Sequence, residues 1–476
     1  MRSALPPDPI LDAFAAHVAS RRGDDPIALS PLRHWSAREL DRAAGQLAVR
    51  VAEEALAPGR LVGLAAPAGP AFLAGYLALR RRGLVPVLCD SSEPTPDRTA
   101  ALDRLGVAAF LWSPTGWPDA TGAWVVSRRA PERETWLAPE IGAIKLSSGS
   151  TGLPRGVAVR AEALAADDAQ LAASMGLRAE DRCLAVAPLS HSYGFSSLLL
   201  PALMRGSTLV FAEERSPFAA LAAGRALGAT FFPTVPAFLT PFVRLSAAPA
   251  WPESVRLTIA AGAPLPPETA ALFRRRHGCP VHVFYGASEA GGITYDRAGD
   301  AAERGTVGTP VDGVEVALDE ESGRFLVRSA AVAEGYLPEP SADLGAGSFR
   351  TGDLGEWVGG ELRLLGRADG VLIVRGKNVN PREIELAIAD LPGVDEVCVL
   401  GVDGPDGPAS MLRAVVAAPG GGVDYHGVVA HCRHRLAEFK VPRSVLVVPE
   451  LPRNARGKID RAALVALVDE SPPPAR

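Results

Sequence analysis

Apolar positions recur at helical spacing in LDAFAAHVA and again in ELDRAAGQLAVRVAEEAL, which predicts a helix-rich stretch over residues 10–56. Between them PIALSPLRHWSAREL reads as a short hairpin, with Ser36 able to cap the second helix. The period then changes. LVGLAAP is a continuous apolar run, Phe72 to Arg82 predicts a helix, and LVPVLCD is apolar up to Asp90. Short apolar strands alternating with helices indicate parallel α/β layers. The alternation resumes with a helix from Ala161 to Met175 and the strand CLAVAPL. Two strand–helix units follow over 208–260, then the strand VHVFYGASEAGG. From Gly305 short β segments and turns take over, as in VEVALDEESGRFLVRS. The chain ends in a compact α+β pattern: strands EVCVLGV and MLRAVVAA, a helix from Tyr425 to Leu436, and FKVPRSVLVV.

At 476 residues the chain is long for one core, which implies several domains or subdomains. A net charge of -5 gives no reason to expect nucleic acid or an anionic membrane as partner. The five cysteines are scattered and never form a CxxC pair, which argues against a disulfide framework or a zinc site. No run of 18 apolar residues occurs and the start has no secretory pattern, so the expectation is a cytoplasmic protein without membrane insertion.

The candidate chemistry centres on KLSSGSTGLPRG. An apolar run ending at Leu146 delivers the chain into six residues, Ser147, Ser148, Gly149, Ser150, Thr151 and Gly152, that are all Ser, Gly or Thr. Glycines let such a loop fold back, and its N–H groups and hydroxyls suit it to phosphate oxygens. Two other phosphate loops are excluded. The pattern GxxxxGK[ST] is absent, because Pro452 stands where the first glycine before Gly457-Lys458 belongs, and no GxGxxG follows a strand.

SSGSTGLPRG resembles the phosphate-binding loop of the adenylate-forming superfamily: acyl-CoA synthetases, peptide-synthetase adenylation domains and luciferase. Further segments follow in that family's order between Lys145 and Arg461, with weaker similarity over the first 140 residues. Gly262, Ala263 and Pro264 resemble its adenine-edge segment. In Tyr285-Gly286-Ala287-Ser288-Glu289, the Tyr285 ring offers a flat surface for a purine. Ser288 brings a hydroxyl where the family usually has Thr, and Glu289 is a hard oxygen ligand suited to Mg²⁺. Asp353 in Thr-Gly-Asp-Leu is expected on both ribose hydroxyls, with Arg367 beside the ribose and phosphates. Arg155 takes the place of the usual loop Lys, keeping charge but not geometry. Asp369 matches the hinge, Ile373 stands where many members carry Lys, and Lys458 matches the catalytic lysine. His191, in a Pro-Leu-x-His context, resembles the segment beside the acyl pocket, where an aromatic residue gates entry.

The resemblance implies a large α/β N-terminal domain of several subdomains over residues 1–366, with layered sheets and a small β-rich part. A small, mobile α+β C-terminal domain would occupy 367–476. It also implies attack of a carboxylate on the α-phosphate of ATP, then transfer of the acyl group from the adenylate to a thiol after rotation about Asp369. No carboxylate lies between Ser190 and Leu200, where family members that activate α-amino acids hold the ammonium with an Asp, so an acid without an α-amine is expected. The expected acyl pocket, Tyr193, Phe232, Val235, Gly262, Phe284, Gly286, Gly291 and Ile293, suits aryl and fatty acids alike. Coenzyme A is the expected acceptor, because Phe439 to Arg443 resembles acyl-CoA synthetases and Lys440 and Arg443 suit a phosphorylated thiol. A carrier-protein phosphopantetheine is the alternative, and a non-catalytic adenylate-binding protein a third reading.

Overall fold

The computed structural model describes residues 5–91, 95–117, 124–131, 133–148, 154–214, 216–245, 250–320, 322–367, 372–374, 377–404, 407–452 and 461–470. The chain divides into two compact units. The larger comprises Met1–Ser91, Leu102–Ser147 and Arg155–Ala368, and the smaller is formed chiefly by Asp369–Arg476.

Helical spacing at the start becomes the helices Pro9–Ala19 and Ala37–Glu53, with the antiparallel pair Pro26–Leu29 and His34–Ser36 between them. Ser36 closes a capping box: its hydroxyl accepts from the Glu39 N–H at 3.2 Å, and Glu39 Oε2 accepts from the Ser36 N–H at 2.7 Å. Two layered sheets follow. In one, Ile141–Ser148, Val85–Leu88, Leu61–Ala65 and Ala109–Trp112 lie side by side and parallel. Their near-continuous apolar sequences fit strands covered on both faces. In the other, Thr208–Val210, Arg182–Leu184, Phe231–Thr234, Leu257–Ala260 and His282–Ala287 run parallel in that order. Only Cys183 and Leu184 of the expected strand CLAVAPL join this ladder, with Arg182 before them; the chain leaves it at Ala185 and heads for His191. The helix Pro70–Arg81 is buried on almost every side, as a helix apolar all round must be.

A third, antiparallel sheet is built from Glu315–Leu318, Arg324–Arg328, Ser348–Val358 and Glu361–Arg367, with the short strand Leu344–Gly345 at one edge. It accounts for the β-rich pattern after Gly305.

The smaller unit pairs Glu396–Gly404 with Gly407–Ala417 antiparallel and sets Ser444–Val448 parallel to the latter. The helices Pro381–Ala389 and Tyr425–Arg433 bring Ile384, Ile388, Val428 and Cys432 into a core with Val399, Ala414 and Val416. The second helix ends three residues before Leu436, whose N–H still reaches the Cys432 carbonyl at 2.8 Å. Among the described residues no helix is long and apolar enough to cross a membrane.

Candidate active site

The carboxyl edges of the parallel strands bring the candidate residues of the larger unit together, as expected for open α/β sheets. Leu88 lies opposite Lys145 in the ladder, so Asp90 and Ser147 emerge at the same edge. There the His191 Nε2–H donates to Asp90 Oδ2 at 2.8 Å. His191 caps a continuous helical stretch, Ser192–Arg205, which contains a wide π-helical turn over Phe195–Leu199. Such turns are frequent at functional sites.

The next residue, Ser192, has its hydroxyl 2.6 Å from that of Ser288. Ser288 and Glu289 sit in the tight connection between the antiparallel strands His282–Ala287 and Gly291–Tyr295. Glycine is required at both ends of it. A Cβ at Gly286 would lie 2.5 Å from the Gly291 carbonyl oxygen. Gly291 has φ +67° and a Cβ there would lie 2.3 Å from Asp167 Oδ1.

Three side-chain arrangements stiffen this edge. The Tyr285 hydroxyl donates to Asp353 Oδ2 at 2.6 Å, and the Thr351 hydroxyl donates to the Asp353 carbonyl at 3.0 Å. Asp353 faces Arg367 across antiparallel strands. The Tyr336 hydroxyl donates to Glu289 Oε1 at 2.9 Å, while the Arg155 guanidinium stacks 3.8 Å from the Tyr336 ring centroid. Burial, reinforced by the Glu289 charge, pushes the Tyr336 hydroxyl well above its ordinary range, so it stays a donor. Lys145 is 2% exposed with its ammonium 5.9 Å from the Phe195 ring centroid. Burial pulls its pKa down, opposed by the charges of Asp167 and Glu289.

Residues 15–337 match the model of the AMP-binding enzyme family, and residues 383–458 match its C-terminal domain. The chain belongs to the AMP-binding enzyme family. It is 29% identical over 453 residues to a feruloyl-CoA synthase of Amycolatopsis, covering 88% of this chain and 91% of that one. It is 32% identical over 395 residues to a methyl-dioxo-octahydroindenyl propanoyl:CoA ligase of Mycobacterium tuberculosis, covering 77% and 76%. The fold matches an amide bond synthetase from Marinactinospora thermotolerans at TM-score 0.85 and 24% identity, over 97% of this chain and 99% of that one.

Within this AMP-binding enzyme the fold gathers His191, Ser288, Glu289, Tyr285, Gly286 and Asp353 on one edge, with Arg155 joined through Tyr336 and Ser147 at the end of its strand. Gly262, Ala263 and Pro264 form the turn after Leu257–Ala260, with Gly262 at φ +80°. Tyr193 and Phe284 have ring centroids 5.9 Å apart, and the Tyr193 hydroxyl reaches the Ile259 carbonyl at 3.3 Å. Ile293 is fully buried in the same cluster, and Val235 caps the helix Pro236–Arg244.

Phe232 corrects the expectation. It is fully buried on the opposite face of its strand, against Phe238 and Trp251, while its neighbour Phe231 joins the Tyr193–Phe284 side. Strand alternation decides this, because adjacent side chains point to opposite faces. Lys440 is also committed elsewhere: its ammonium donates to Glu383 Oε1 at 2.5 Å with both side chains largely buried. Gly149, Ser150, Thr151, Gly152, Asp369 and Lys458 lie outside the described residues, as do the side chains of Ser148 and Arg367.

Four further residues of this edge were not singled out as site residues from the sequence: Asp90, Ser192, Tyr336 and Lys145. Only Lys145 carried a local signal, a lysine inside the apolar run GAIKL.

Proposed function

We propose that this AMP-binding enzyme activates a ring-bearing carboxylic acid lacking an α-amine with ATP and transfers the acyl group to coenzyme A. The observation that carries the reading is the Tyr285–Asp353 hydrogen bond, set beside Ser288 and Glu289 at the edge where the glycine-rich segment begins. It fixes a flat ring next to a carboxylate, the two features a purine nucleoside needs. A carboxylate has lone pairs for both Tyr285 and ribose hydroxyls. Relatives support the acid class, since they include proteins named feruloyl-CoA synthase, indoleacetate–CoA ligase and 2-succinylbenzoate–CoA ligase.

The chemical difficulty is an anion approaching a polyanion, so positioning and charge neutralisation carry catalysis. Arg155, Arg367 and the hydroxyls of Ser147 to Gly152 are the groups for the phosphates. Glu289 is the residue that would hold Mg²⁺, which supplies charge neutralisation at the phosphates. The donor chemistry fits: Glu289 offers a hard carboxylate oxygen, and Mg²⁺ takes one or two carboxylates together with phosphates and water. Lys458 is the cation for the reacting carboxylate and α-phosphate. Residues 367–476 turn about Asp369 between the two steps, removing Lys458 and admitting the thiol. No carboxylate stands between Ser190 and Leu200 to hold an α-ammonium, and Asp167 beside Gly291 serves the fold by accepting from the Ser196 hydroxyl at 2.6 Å and the Gly292 N–H at 2.9 Å.

The test is pyrophosphate release with ATP and Mg²⁺ across aryl, fatty, dicarboxylic and α-amino acids, each with and without coenzyme A. The expected result is turnover of an aryl or other ring-bearing acid, with AMP release dependent on coenzyme A. Adenylate formation that ignores coenzyme A but responds to a phosphopantetheinylated carrier protein contradicts the acceptor. Preference for an α-amino acid contradicts the pocket.

A further inference from the structure

We propose that Asp90 and His191 form a dyad that takes the proton from the incoming thiol when the acyl group leaves the adenylate. The inference rests on the ligase reading above and assigns a role to a contact that reading leaves unused.

The geometry is that of an oriented base. Asp90 is 8% exposed and sits at the carboxyl edge, two residues beyond Leu88, beside the end of the strand that leads into the glycine-rich segment. Its Oδ2 accepts from His191 Nε2–H at 2.8 Å. That hydrogen bond assigns the ring proton to Nε2 and leaves the Nδ1 lone pair to accept another. Among the described residues nothing donates to Nδ1. The His191 side chain keeps 37% of its surface accessible, whereas that of Asp90 keeps 9%: one group is open to a substrate and the other is shut in to orient it. The neighbouring Ser192 touches Ser288, so the ring stands next to the Tyr285–Glu289 segment and the Tyr193 wall of the acyl pocket.

The two half-reactions differ in their need for a base. A carboxylic acid arrives ionised near pH 7 and needs none. A thiol with a pKa of about 8.5 is only a few per cent thiolate at that pH. In the proposed step His191 Nδ1 takes the S–H proton, and Asp90 stabilises the resulting imidazolium. The sulfur electron pair forms the C–S bond at the acyl carbon. The bond from that carbon to the phosphate oxygen breaks, its electron pair leaves with AMP, and His191 returns the proton to solvent. Asp90 never touches the reacting atoms and acts as a positioning residue.

The experiment follows the two half-reactions separately in single turnover: acyl-adenylate and pyrophosphate formation without coenzyme A, then thioester formation on its addition. Asp90→Asn preserves the shape but lets an amide N–H face Nε2, which moves the ring proton to Nδ1. It should slow thioester formation roughly 10–100-fold more than adenylation, a ceiling set by the thiolate already present. His191→Ala should show the same asymmetry, and added imidazole should restore part of its thioester rate, which a purely structural role would not allow. Equal losses in both half-reactions, or no imidazole rescue, overturns the dyad. Absence of acyl-adenylate in the wild-type enzyme would instead overturn the ligase reading itself.

Discussion

The two faces of the strands Phe231–Thr234, Leu257–Ala260 and His282–Ala287 are built on different principles. On one face Phe232, Phe242, Trp251 and Phe273 meet as an aromatic cluster, with Trp251 centroids 5.2, 5.7 and 4.7 Å from the other three rings in that order. Size, alternation and burial suffice to specify it. The other face leads to an edge held by polar contacts between residues far apart in sequence: Tyr285 with Asp353, Ser192 with Ser288, His191 with Asp90, Glu289 with Tyr336. Each depends on two segments arriving in register. The first face should therefore fail through stability and the second through chemistry.

The largest effect is expected at the polar edge. Asp353→Ala removes both the anchor of the Tyr285 ring and the proposed ribose acceptor, and kcat/KM for ATP should fall roughly 10²–10³-fold. Thermal unfolding should move little, because Asp353 is half-buried beside a strand pair that keeps its backbone ladder. Steady-state kinetics and a melting curve on the same preparation check both halves. A variant that loses melting temperature and activity in proportion would erase the contrast between the faces.

The aromatic face should respond in the reverse sense. Trp251→Ala deletes the ring at the centre of the cluster and should cost about 3–5 kcal/mol of stability. The molecules that remain folded at low temperature should keep their KM for both ATP and acid. Denaturant titration with active-site-normalised kinetics measures this, and a changed acid preference would mean that the cluster reaches the pocket after all.

How much was legible in the sequence follows the same division. Helices, parallel strands and the β-rich segment were readable because burial imposes periods of 3.6 and 2 on apolar residues. The Ser36–Glu39 capping box is an example where local chemistry sufficed. Tyr285, Ser288, Glu289 and Asp353 were readable because each sits in a short motif. Phe232 was misassigned because a segment can be recognised without knowing which face each residue takes, and a shift of one reverses the answer. Asp90, Ser192 and Tyr336 carry no local mark; their partners lie 101, 96 and 47 residues away, and only the assembled sheet edge reveals them. Lys440 was readable as a charge but not as half of a buried pair with Glu383.

The measurement that tests the account most directly follows oxygen. A substrate acid labelled with ¹⁸O in its carboxylate is turned over with ATP and coenzyme A, and the AMP is examined by mass spectrometry. Attack of the carboxylate on the α-phosphate, then of the thiol on the acyl carbon, leaves one carboxylate oxygen on the phosphate. The account predicts AMP carrying a single ¹⁸O together with unlabelled pyrophosphate. Unlabelled AMP, or label appearing in inorganic phosphate with ADP as the nucleotide product, would contradict the acyl-adenylate and with it the proposed roles of the Tyr285–Asp353 edge.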